Sequence, residues 1–93
     1  MVIRPLISQI VRSATSVGAN YMEANGASSK KDFRNKIYIC KKEIKETKHW
    51  LRMLSAVIEY NQKREAWIIW NEAQELTLIF GKIAGTLNKT IKN

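Results

Sequence analysis

The sequence predicts an all-α protein, an antiparallel, left-handed helical bundle with three helices in this chain. Two observations carry this reading. Apolar residues recur in alternating steps of three and four along almost the whole chain. One proline and four glycines in 93 residues are too little punctuation for a β architecture, which needs a turn residue every few positions. A chain this short holds one core, so residues 1–93 read as a single domain. No room is left for separate cofactor and substrate domains.

The first helix is expected over about 5–24, with Pro5 in the first turn, where its missing N–H costs nothing. Its apolar stripe is Ile3, Ile7, Ile10, Ala14, Val17 and Tyr21. The same segment carries Arg4 and Arg12 and no acid before Glu23, a composition shared with transit peptides. Its stripe, continuous with the pattern of the rest, reads instead as part of the fold. Arg4, Ser8, Gln9 and Arg12 break up any secretory-signal core. Asn25-Gly26 supplies residues that tolerate the left-handed conformation closing a helix.

The second helix is expected over about 30–60, capped by Ser29, with Asp32 in the positive first turn. Its stripe is Phe33, Ile37, Cys40, Ile44, Thr47, Leu51, Leu54 and Ile58. Asn61-Gln62 is the polar break before a third helix over about 64–89. That helix repeats the rule with Ala66, Ile69, Ala73, Leu76, Phe80, Ile83 and Leu87. Alternating three–four spacing favours shallow, left-handed crossing at about 20°.

The remaining faces say more about function. Winding the second helix at about 100° per residue gathers Lys30, Arg34, Lys41, Lys45, Lys48 and Arg52 on a strip about 60° wide and about 33 Å long. Asp32, Glu43 and Glu46 fall on the other side of the core stripe. A face built for solubility mixes signs to gain i,i+4 pairs, each worth about 0.2–0.5 kcal/mol; this one segregates them. With a net charge of +8, the strip points to an anionic partner, nucleic-acid backbone above all. Tyr38, beside Lys31, Lys42 and Lys45, is placed to stack on bases or to lie along lysine stems. The third helix is apolar on several sides: Trp67, Trp70, Leu78, Gly81 and Gly85 lie beyond the stripe, with Ile68 and Ile79 on the last flank. This surplus predicts a subunit interface, with the two glycines permitting close backbone approach.

Catalytic chemistry is thin, and the chain reads as a non-enzyme without cofactor or metal. His49 is the one histidine. With Glu46 it forms a single E-x-x-H, where a di-iron bundle needs two such motifs and two further glutamates. Neighbouring Lys45, Lys48 and Arg52 repel a cation. Cys40, the one cysteine, sits within the apolar stripe and reads as a small hydrophobe. No disulfide within the chain and no cysteine-based zinc site is possible. The longest apolar run, Ala66-Trp67-Ile68-Ile69-Trp70, is far below the roughly 20 residues of a membrane span.

Three segments in order carry a resemblance: Arg12-Ser-Ala-Thr-Ser-Val-Gly-Ala-Asn20 with Glu23-Ala24, then Ser29-Lys-Lys-Asp-Phe33, then Lys41-Lys-Glu-Ile-Lys-Glu-Thr-Lys-His-Trp-Leu-Arg52. From about Pro5 onward the chain resembles the 23S rRNA-intervening sequence proteins, a family of four-helix bundles. Relatives include the accessory variability determinants of diversity-generating retroelements, basic pentamers that bind nucleic acid and a reverse transcriptase. The resemblance implies a cytoplasmic bacterial protein and a homopentamer. Its partners would be nucleic acid, its own copies, and a reverse transcriptase or other acidic protein. Family members begin with a further helix ahead of the segment starting here near Pro5, which leaves three helices to this chain. The competing expectation is a structural or protein–protein interaction module with no nucleic-acid role.

Overall fold

Three helices follow one another along the chain: α1 over Ile3–Asn25, α2 over Lys30–Ser55 and α3 over Tyr60–Lys92. The computed structural model describes residues 3–92, with side chains for residues 3–90, and holds no strand among them. Ser29 caps α2 as expected: extended at φ −153°, it accepts the Asp32 N–H on its hydroxyl at 3.0 Å, satisfying one orphan donor of the first turn.

Two boundaries differ from expectation. Gly26 follows α1 but does not enter positive φ. Instead the N–H groups of Gly26 and Ala27 donate back three residues, to Glu23 and Ala24, both at 3.1 Å, tightening the last turn without a left-handed residue. α2 stops at Ser55 rather than near 60, and Asn61 and Gln62 lie inside α3. The Ser55 hydroxyl donates to the Arg52 carbonyl at 2.7 Å, competing with the backbone for that acceptor. Ala56 and Val57 reach back only three residues, to Met53 at 3.2 Å and Leu54 at 3.0 Å, and β-branched Val57 and Ile58 then favour leaving the helix. The Glu59 carbonyl accepts from Gln62 N–H at 2.9 Å and starts α3.

Pair register makes both hairpins antiparallel. Across α1 and α2, Arg12 meets Glu43 and Glu46 while Glu23 meets Lys36. Across α2 and α3, Arg34 meets Asn88 while Lys48 meets Gln74. The bundle measures 50 × 19 × 15 Å, its length set by the 33-residue α3 at about 1.5 Å per residue. α2 lies in the middle. No Cα of α1 comes within 8 Å of one in α3, and the two meet through side chains such as Tyr21 and Phe80, with ring centroids 6.2 Å apart.

The core joins Val17 and Ala24 to Ile37, Cys40 and Ile44, and these to Ala73, Phe80 and Ala84. The α2 stripe is as the spacing predicts, with Ile37, Cys40, Ile44, Thr47 and Leu51 buried. The α1 stripe is not. Its buried residues are Leu6, Ser13, Val17 and Ala24, whereas Ile7, Ala14 and Tyr21 are exposed, a rotation of about 60° from the apolar spacing. Polar chemistry causes it: Ser13 is buried against Thr47, whose hydroxyl donates to it at 2.8 Å, while Arg12 reaches the acids of α2. α3 turns less, burying Ala66, Ala73, Phe80 and Ala84 and leaving Ile69 and Leu76 exposed. Ile69 borders a space that α1 leaves open. An open groove of about 400 Å³ separates Ile3 and Ile7 from Ala66 and Ile69, with Leu51 and Leu54 of α2 between them.

Candidate nucleic-acid interface

The two flanks of α2 meet opposite chemistry. Toward α1, two of its acids are engaged, Glu43 by Arg12 at 3.2 Å and Glu46 by Arg12 at 2.8 Å, and along the same seam Glu23 of α1 binds Lys36 of α2 at 2.8 Å. That last pair pushes the Lys36 ammonium pKa up, through hydrogen bond and charge together. Toward α3 run the six strip cations. None of them forms an ion pair among the described residues, where the ion pairs are those of Arg12 and Lys36.

Half of the strip is tied to α3 by neutral partners, which spacing alone did not reveal. Arg34 donates from Nη1 to Asn88 Oδ1 at 3.5 Å. Its guanidinium lies 5.9 Å from the centre of the Tyr38 ring, and its Nε is buried without a partner. Tyr38 donates its hydroxyl to the same Asn88 oxygen at 2.8 Å, so this ring packs along the strip and is anchored to α3. Lys48 donates to Gln74 Oε1 at 2.5 Å. Lys48 and Arg52 lie 5.3 and 5.5 Å from the Trp70 ring centre, within cation–π range. Lys30 and Lys45 are exposed and Lys41 is half-buried.

Trp70 therefore turns inward between α2 and α3 and is not part of an exposed interface face. Its Nε1 is buried without a partner, as is that of Trp50. Trp67 and Leu78 remain 55% and 63% exposed. At Gly81 and Gly85 a Cβ would meet nothing within 4 Å, so no element of this chain uses either glycine for close approach. Where the strip ends, a cavity of about 290 Å³ opens between the last turns of α2 and the first turns of α3, lined by Leu51, Arg52, Ser55, Ala66, Trp67 and Trp70. The two indoles meet edge to face, centroids 5.3 Å apart at 77°. Sequence spacing put the cations and the indoles in separate roles on separate helices, and bringing them together required the α2–α3 register.

The other candidates are placed plainly. Cys40 is fully buried, its thiol 3.5 Å from the Val17 carbonyl, and burial pushes its pKa up. Glu46 of the E-x-x-H is held by Arg12, while His49 is exposed, its ring 4.9 Å from that of Trp50. Among the described residues no three His, Cys, Asp or Glu side chains converge as metal ligands. No described helix is long and apolar enough to cross a membrane.

The sequence model of the 23S rRNA-intervening sequence proteins matches residues 4–82. The chain belongs to that family. A solved structure from Bacteroides thetaiotaomicron VPI-5482, described as a protein of unknown function from the S23 ribosomal protein family, is similar to it. The two share 37% identity and superpose with a TM-score of 0.74 over 85% of this chain and 72% of the other. No curated protein matches the chain. In this intervening-sequence protein the matched region includes the whole basic strip and the Trp67–Trp70 cavity.

Proposed function

We propose that this intervening-sequence protein is a non-catalytic, cytoplasmic, homo-oligomeric protein that binds nucleic-acid backbone through Lys30, Arg34, Lys41, Lys45, Lys48 and Arg52. One observation carries the reading: six cations along one flank of α2, without a single carboxylate partner among the described residues, while Glu43 and Glu46 of the opposite flank are engaged by Arg12 of α1. A phosphate row supplies the charge the fold withholds. Lysines and arginines that reach phosphates read no base edges, so sequence discrimination is small. Oligomerisation draws support from the apolar side chains left uncovered, Val11, Ile69 and Leu78 among them, and multiplies the strip. The lone cysteine, buried as a thiol, suits a reducing compartment.

Filter binding across a salt series tests this. Affinity for duplex DNA should fall with a logarithmic slope of about −0.9 per phosphate neutralised. The variant K30Q/K41Q/K45Q should flatten that slope and weaken all sequences alike, with unchanged helicity. Equal binding by wild type and variant would make the strip a solvated face. No binding to any nucleic acid near physiological salt, with capture of an acidic protein instead, would favour the interaction-module reading.

A further inference from the structure

We propose that the cavity at the end of the strip receives an unpaired nucleobase, so that strip and cavity together select single-stranded over duplex nucleic acid. This rests on the backbone-binding reading and names its substrate class. The Trp67 ring is 55% exposed yet braced by Trp70 in an edge-to-face pair, and Lys48 and Arg52 in turn hold the Trp70 ring. A flat hydrophobic platform is thereby fixed beside two cations that no acid neutralises. That pairing, an aromatic face with phosphate-seeking charge at its rim, is how single strands are bound without sequence preference.

Size and shape agree. A volume of about 290 Å³ lies just under the range of small-molecule sites, which starts at about 300 Å³, and suits one planar ring better than a helix. Leu51 and Ala66 floor the cavity, and the Ser55 hydroxyl, already donating to Arg52, keeps lone pairs for a base N–H. The bases of a duplex are stacked inside it and cannot enter. A straight α2 touches a curved duplex over part of its length, whereas a flexible strand can follow the whole strip into the cavity.

The test is fluorescence anisotropy at fixed salt with three probes: an unstructured oligothymidine, the same strand with abasic positions, and a duplex. Trp67→Ala should weaken the intact strand about tenfold, the middle of the range for one stacked base, and leave the duplex unchanged. Trp67→Phe should restore most of the loss. The abasic strand should bind wild type as weakly as the intact strand binds the alanine variant. An unchanged affinity for the intact strand overturns the cavity alone, with the strip intact. Equal loss on strand and duplex assigns Trp67 to a subunit contact and overturns it as well. Thymidine monophosphate competing at micromolar concentration would make the cavity a free-nucleotide site and overturn strand selection. Absence of all binding by the wild type removes both this proposal and the reading beneath it.

Discussion

At the scale of single residues, polar groups inside the bundle set its geometry. The Thr47 hydroxyl has one proton and two acceptors in reach, Ser13 Oγ at 2.8 Å and the Glu43 carbonyl at 2.9 Å. Ser13→Ala and Thr47→Val should each cost about 1 kcal/mol, and the double variant little more than one of them, because both remove the same contact. Urea denaturation of the four proteins checks this. Arg12→Ala should cost about 1–3 kcal/mol, since it strands the Glu43 carboxylate, 9% exposed, without its cation. Ser13 also shows where sequence reading fails. A stripe drawn through apolar residues passes over a buried hydroxyl, and only the partner on α2 tells which face is inside. Cys40 and Ile44 were legible because α2 is flanked on both sides, so its apolar residues and its buried residues coincide. Alkaline pH weakens the fold through two groups. The Cys40 thiol, raised above its ordinary 9.0, stays protonated in the native state while the unfolded chain ionises, so stability falls as pH rises past that value. The stability from Lys36, raised above 10.5, is complete below that value and is lost as pH climbs through its higher native one. Thermal unfolding across this range should fall with pH, and Cys40→Ala should flatten its first part.

At the scale of elements, helix ends and glycines separate local from packing effects. Ser29→Ala should cost about 1 kcal/mol by removing the cap on Asp32 N–H. Gly18 lies inside α1, and a Cβ there meets nothing within 4 Å. Gly18→Ala should therefore stabilise the fold by about 0.5–1 kcal/mol, measured by the same denaturation. The existence and order of three helices were readable from periodicity, and the Ser29 cap from its residue type. The end of α2 was not, because the stop comes from a serine hydroxyl and two β-branched residues, and the polar pair that looked like a break continues into α3. The ties of half the basic strip to α3 were not legible, since Asn88, Gln74 and Trp70 come to it from 18 to 54 positions away.

At the scale of the molecule, two flanking helices on one central helix leave an apolar groove uncovered between α1 and α3. Ile69→Glu, on the α3 side of that groove and 49% exposed, should lower the mass found by light scattering while leaving helicity in place. A wild type that is already monomeric at micromolar concentration would refute oligomerisation. The division of charge across α2 reaches further than affinity. Because acids are spent toward α1 and cations stand toward α3, the molecule has a front and a back. On a polyanion it should land one way round, with α3 against the strand and the exposed Val11 of α1 turned outward. On the proposed reading, neighbours on the same strand would bring matching greasy backs side by side, and the strand itself would be the template on which copies meet. Binding along a long strand should accordingly be cooperative where binding to a short one is not.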